Sequence, residues 1–215
     1  MTSPASDSLQ EIQIRLDQRI RSVDEPRWLS SRYAPMPQRQ TLMTLYAFYY
    51  ELARVRVAVS DPTLGQIRFQ WWRDALDELS RGDVRQHDVV MAISYEVEKK
   101  RLALADLTAF IDPFETAFAQ NDRGFDPDGQ LVGLASKVLS PETGLRSEIA
   151  EIAGVWSALR RGEFDGVTIK KQKVPSAVRP AIAHLCLRHA WARKKSLSAF
   201  QQRLSILLAM LTGQV

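Results

Sequence analysis

Residues 42–57 read Leu42-Met43-Thr44-Leu45-Tyr46-Ala47-Phe48-Tyr49-Tyr50-Glu51-Leu52-Ala53-Arg54-Val55-Arg56-Val57. Leu42, Leu45, Tyr49, Leu52 and Arg56 recur at three- and four-residue steps, with Tyr46, Ala53 and Val57 beside them, which is the period of one helical face. The spacing predicts a helix over 37–60. Ser60-Asp61-Pro62 then marks a boundary, with Ser60 or Asp61 as a cap and Pro62 at the first position of the next helix. Leu64, Ile67, Trp71, Asp74/Ala75 and Leu79 carry the same period toward Gly82. Tyr46, Phe48, Tyr49, Tyr50, Phe69, Trp71 and Trp72 crowd into these two helices. Joined by so short a connector, the helices would run antiparallel and share an apolar wall, whose ordinary use is a packed core.

Outward from this pair the pattern stays helical. Leu9, Ile12, Leu16, Ile20 and Val23 form a stripe after a flexible tail at 1–7, and Asp24-Glu25-Pro26 reads as its stop. Residues 28–37 read as a connector broken by Pro35 and Pro37. Further helices are expected over 87–101, 104–119 (kinked or restarted at Pro113), 131–139, 144–161, 176–195 and 196–211. Residues 121–129 are dense in turn formers, and the polar, lysine-rich stretch 162–175 reads as a loop. Alternating strand patterns are nearly absent. The reading is all-α: a single helical bundle over 8–215.

Composition bounds the function. The chain has 215 residues, 45% hydrophobic and 25% charged, the make-up of a globular domain with a real core. Its longest apolar run, 206–211, is far short of the roughly 20 residues that span a bilayer. No signal peptide is readable at the start, and Cys186 is the only cysteine. A disulfide framework and a cysteine zinc site are thereby excluded, which suits a reducing, cytoplasmic setting. The net charge of +4 is unevenly spread. From Arg160 to Arg203 eleven basic residues face only Glu163 and Asp165, a local +9, leaving −5 for the rest. Such asymmetry points to an anionic partner or to a solvated helix face.

Chemical motifs are sparse. His184 and His189 are five apart rather than the four that sets two ligands on one helical face. Cys186, among Ile182, Leu185 and Leu187, reads as an inert buried thiol. Asp122-x-x-x-Asp126-x-Asp128 lacks the terminal glutamate of a calcium loop. Asp74, Asp77 and Glu78 are the one clustered carboxylate set able to reach a magnesium ion, though Arg73 and Arg81 flank them. No phosphate-binding glycine loop or nucleophile elbow is present.

At the aromatic helices, however, the chain resembles the squalene/phytoene synthase family of all-helical isoprenoid synthases. The resemblance rests on Trp28-Leu29-Ser30-Ser31-Arg32-Tyr33-Ala34-Pro35, on Arg39 and Leu45 through Arg56, and on Leu64-Gly65-Gln66-Ile67-Arg68-Phe69-Gln70-Trp71-Trp72-Arg73-Asp74-Ala75-Leu76. Weaker echoes follow at 110–112, 134–139, 153–156 and 207–213. The family implies a bundle around a prenyl-binding cavity, with two aspartate-rich motifs that hold Mg2+ against a diphosphate leaving group. Register from Tyr46-Ala47 sets the first motif on Ala53, Arg54 and Val57, none of them a carboxylate. The second should follow Gly154, where Ala158-Leu159-Arg160-Arg161-Gly162 offers no aspartate pair. The same loss marks the family branch that acts as assembly factors for respiratory complex I.

The resemblance therefore implies a member that has lost metal-dependent prenyl transfer and acts as an accessory or assembly factor, with a protein partner or an anionic membrane surface. It would be cytoplasmic or peripheral on the inner face of a membrane, with no nucleic acid and no cofactor expected. Two alternatives stay open. One is a working head-to-head prenyl transferase, needing Mg2+ on Asp74, Asp77 and Glu78. The other is a non-catalytic binder of a prenyl lipid or its diphosphate, with Tyr46, Tyr49, Tyr50, Arg54, Arg56, Trp71 and Arg73 as pocket or headgroup residues.

Overall fold

The computed structural model describes residues 4–59, 61–122, 125, 127–142, 147–162 and 169–215. Within the stretch read as one domain, two compact units gather. One takes the chain up to Ile20 together with Met43–Phe125, the other Arg21–Leu42 together with Asp126–Val215. Every regular element among the described residues is helical, apart from one antiparallel bridge between Lys173 and Gln214.

The first unit holds most of α1 (Pro4–Val23) and of α3 (Met36–Ala58), with α4 (Pro62–Ser80), α5 (Asp88–Glu98) and α6 (Leu104–Ala119). Residues 4–7, expected in a flexible tail, are the first turn of α1. Ile12, Leu16 and Ile20 form the buried stripe of that helix, one turn apart along one face. Helix α4 starts as its sequence predicts: the Asp61 carboxylate accepts from the Thr63 and Leu64 amides, and Pro62 occupies the first position. Helix α6 runs unbroken through Pro113. Helix α4 packs closely on α6 because Gly65 has no side chain: a Cβ there would fall 2.0 Å from the Phe118 ring. The core between is aromatic. Phe48 meets Trp72 edge-on at 5.2 Å, and Tyr49 meets Phe114 at 5.7 Å, the arrangement that ring quadrupoles favour.

The second unit holds α2 (Glu25–Ser31), α7 (Asp128–Leu139), α8 (Ser147–Arg160), the short turns α9 (Arg179–Ile182) and α10 (Arg188–Trp191), and α11 (Ala199–Thr212). Two expectations are corrected here. Asp24-Glu25-Pro26 starts a helix as well as ending one: the Asp24 carboxylate accepts from the Arg27 amide at 3.2 Å, so α2 occupies part of the expected connector. Residues 176–195 are not one helix. Stretches of 3-10 helix at Ser176–Val178 and Ala183–Leu187 alternate with α9 and α10, so the apolar period is kept while the helix is tightened. Helix α11 opens on a capping box of Ser198 and Gln201 and closes on Gly213, in the left-handed region at φ 73°.

Candidate functional site

Arg54 and Trp71 come together in a cleft of the first unit. The cleft measures about 230 Å³ and is lined by Glu51, Arg54 and Val55 of α3, Arg68, Trp71 and Trp72 of α4, and His87 just before α5. Residues 51, 54 and 55 share a face of α3, and 68, 71 and 72 share a face of α4, by the three- and four-residue helical step. The Trp71 and Trp72 rings stand edge-on at 5.0 Å, and the His87 ring packs on both, at 5.5 and 5.3 Å. His87 Nδ1 is buried with no hydrogen-bond partner among the described residues.

Charge decides what this cleft can hold. Glu51, its one carboxylate, accepts from Arg19 Nη1 at 2.5 Å and is thereby neutralised. Arg54 and Arg68 are exposed and pair with no carboxylate among the described residues. The unit's other described arginines each hold an oxygen. Two unengaged guanidiniums over an indole wall suit an anion, through charge-assisted hydrogen bonds. They do not suit a divalent cation, which takes several oxygen ligands.

The remaining sequence candidates go elsewhere. Tyr46 and Tyr49 are core residues at 1% and 5% exposure, and Tyr50 packs edge-on against Tyr49. Arg56 turns to the Phe125 carbonyl, with its guanidinium 5.6 Å from that ring. Arg73 bridges Asp112 at 2.7 Å and Glu115 at 2.5 Å on α6. The acidic trio is dispersed: Asp74 accepts from Gln70, Asp77 pairs with Arg81, and Glu78 takes both arms of Arg85, which holds its carboxyl below the usual range. Among the described residues, no three histidine, cysteine, aspartate or glutamate side chains gather as a metal site. Asp126 of the suspected calcium loop lies outside the described residues, as do Glu163 and Asp165.

The sequence missed Arg68 and His87, which line the cleft, and a buried charge network in the second unit. There the Arg27 guanidinium donates to Asp24 at 2.8 Å and to Asp128 at 2.6 Å, all three at or below 1% exposure. Ser157 of α8 donates to Asp128, and Arg160 donates to Asp24 at 2.9 Å. Among the described residues this sets two cations against two carboxylates. His184 lies under the influence of Arg27 and Arg160. Burial, then those cations, pushes its imidazole down to about 3, and the ring packs edge-on to Trp156 at 5.2 Å. Cys186 is the inert thiol expected: burial pushes it up to about 12. No signal links Arg27 to Asp128 in the sequence, since they stand 101 positions apart.

The family model for squalene/phytoene synthase matches residues 20–131, a little over half of the chain and the whole of this cleft. The chain belongs to the squalene/phytoene synthase family. Curated relatives within reach are NADH dehydrogenase (ubiquinone) complex I assembly factor 6 of Bos taurus, Rattus norvegicus and Homo sapiens. They are 28%, 30% and 27% identical over 96 residues. Each match covers 45% of this chain and 29% of the relative, so the chain spans less than a third of the length of the curated proteins it resembles. No solved structure matches.

Family membership implies Mg2+ held by carboxylates, and the described residues of this cleft do not fit it. In the register the resemblance implies, the first motif falls on Ala53, half-buried, on Arg54, and on Val57, which is 88% exposed. Where the resemblance implies the second, Arg160 donates to Asp24 at 2.9 Å. With Arg54 and Arg68 in its wall, the cleft favours anions.

Proposed function

We propose that this squalene/phytoene synthase-family protein no longer ionises prenyl diphosphates and serves as an accessory factor in assembling a respiratory NADH dehydrogenase complex. It works on a protein partner and sits peripherally on a membrane. The observation that carries this reading is the inverted charge of the cleft, where Arg54 and Arg68 stand unengaged and Glu51 is neutralised by Arg19. Diphosphate departure needs a cationic clamp that tightens in the transition state. Among the described residues no carboxylates gather to seat metal ions, and without them the family's clamp does not form. The assembly-factor relatives add support by analogy.

Two measurements test it. Incubation with farnesyl or geranylgeranyl diphosphate and Mg2+ gives no coupled product, and steady turnover refutes the loss of catalysis. Cells lacking the protein accumulate less of the NADH dehydrogenase complex on native gels, with subassemblies in its place. Unchanged complex levels refute the assembly role.

A second reading, a non-catalytic binder of a prenyl diphosphate, is favoured by the pairing of free guanidiniums with the Trp71 and Trp72 wall. On this reading geranylgeranyl diphosphate binds without Mg2+, and Arg54→Glu/Arg68→Glu weakens it by at least tenfold in calorimetry. Binding that needs Mg2+, or is indifferent to both arginines, rules it out.

A further inference from the structure

Helix α11 is apolar on the face it turns outward. Phe200, Leu204, Leu207, Leu208 and Leu211 are exposed, Phe200 at 74% and Leu211 at 68%. Spaced at four, three, one and three residues, they line one side of the helix. The opposite side is already used: Ile206 and Ala209 are buried. The polar residues Gln201, Gln202, Arg203 and Ser205 lie off this ridge, so the exposed apolar face is distinct from the buried one.

The ridge is not a frayed end. The Ser198–Gln201 capping box fixes its start. Arg179 Nη1 donates to the Met210 and Leu211 carbonyls at 2.9 and 3.1 Å, and the Val174 amide donates to the Gly213 carbonyl at 2.8 Å, so its finish is held too.

A cationic cleft precedes the ridge along the chain. Lys194, Lys195 and Ser196, in the connection that leads into α11, join Leu159, Arg160 and Trp191 around a cavity of about 320 Å³. Lys194 and Lys195 are exposed and unpaired among the described residues. The charge of the whole stretch is one-signed: no aspartate or glutamate occurs between Gly166 and Val215, against nine lysines and arginines.

We propose that the second unit docks on an anionic lipid bilayer, with the α11 ridge in the acyl boundary and a lipid phosphate in the Lys194–Lys195 cleft. A second copy of the chain is disfavoured as the occupant, because pairing two such ridges would bring like charges together. An interfacial helix combines an apolar face with flanking basic side chains at headgroup depth, and both parts are present. Trp191 supplies the amphipathic ring that headgroup regions attract. The proposal deepens the peripheral part of the reading above and is independent of its respiratory part. Vesicle binding and complex assembly are read separately, so either can fail alone.

The test is co-sedimentation of the 215-residue protein with vesicles of phosphatidylcholine, pure or with about a third phosphatidylglycerol. Binding is expected on the anionic vesicles only and should weaken with salt. Lys194→Gln/Lys195→Gln is expected to lower the partition about 30-fold at low salt. Phe200→Ser/Leu208→Ser/Leu211→Ser should lower it at least about 100-fold, because three apolar side chains leave the boundary. These side chains are exposed, so both variants should keep the wild-type circular dichroism and melting point. The proposal is overturned if the wild type ignores anionic vesicles, or if the triple-serine variant binds like wild type. It is equally overturned if light scattering shows a wild-type dimer that the serines dissociate, since a second copy then covers the ridge.

Discussion

Arg27→Met removes the centre of the buried network while nearly keeping the volume of the side chain. In the wild type Arg27 is 1% exposed and compensates Asp24 and Asp128, which are equally buried. After the change Asp24 keeps Arg160 at 2.9 Å and Asp128 keeps the Ser157 hydroxyl. Both carboxylates lose the guanidinium that bridges them. Removing one partner of a buried ion pair costs about 3–5 kcal/mol, because the remaining charge stays desolvated. For a chain of this size that corresponds to roughly 6–20 °C in melting temperature. Urea unfolding read by circular dichroism and by the emission of the buried Trp156 measures it. The pair Arg27→Met/Asp128→Asn isolates the cause. Neutralising Asp128 along with Arg27 should restore at least about 2 kcal/mol relative to Arg27→Met alone, a coupling typical of groups in one network. A single-variant loss below about 1 kcal/mol would refute the reasoning, and so would a double variant no more stable than the single.

His184 makes stability depend on pH in a defined window. Its folded imidazole titrates at about 3, against an ordinary 6.5, so between these values the unfolded chain binds a proton that the folded one does not. Stability is full above about pH 6.5 and declines as pH falls toward 3, by about 2 kcal/mol between pH 7.5 and 5. His184→Gln should flatten that part of a urea-midpoint profile, and a wild-type profile without the decline contradicts the assignment. Gly65→Ala drives a methyl into the Phe118 ring and should destabilise by about 1–3 kcal/mol, partly relieved in Gly65→Ala/Phe118→Leu; an unchanged melting curve would show that α4 and α6 are looser than described. The Cys186 thiol, pushed up to about 12 by burial, should react with iodoacetamide at pH 8 about a thousandfold more slowly than glutathione, and in urea at a normal rate.

The sequence carried most of the fold because long amphipathic helices announce themselves locally. Asp61-Pro62 marked the start of α4, and the aromatic run marked the core. Misreadings came where one residue serves two purposes. Asp24 and Pro26 punctuate a helix end and a helix start alike, and the apolar period of 176–195 does not distinguish α from 3-10 turns. Arg54 and Trp71, both named from the sequence, line the first cleft. Arg68 was not singled out, because its exposure depends on how α4 packs, and His87 lies outside both helices that form the wall. The Arg27 network was illegible in principle, since its partners meet only after folding. Along α11 the leucines recur without a clear polar side, and only packing separates the buried Ile206 and Ala209 from the exposed Phe200, Leu208 and Leu211.

The two unengaged arginines of the first cleft also bear on any attempt to build a metal site into it. A single carboxylate introduced into this wall would stand in the field of Arg54 and Arg68 and form an ion pair before it could ligate a metal. A magnesium ion needs several oxygen ligands at once. Such a site would therefore form only if both arginines were replaced together with the added carboxylates, because each single step would be absorbed as a salt bridge.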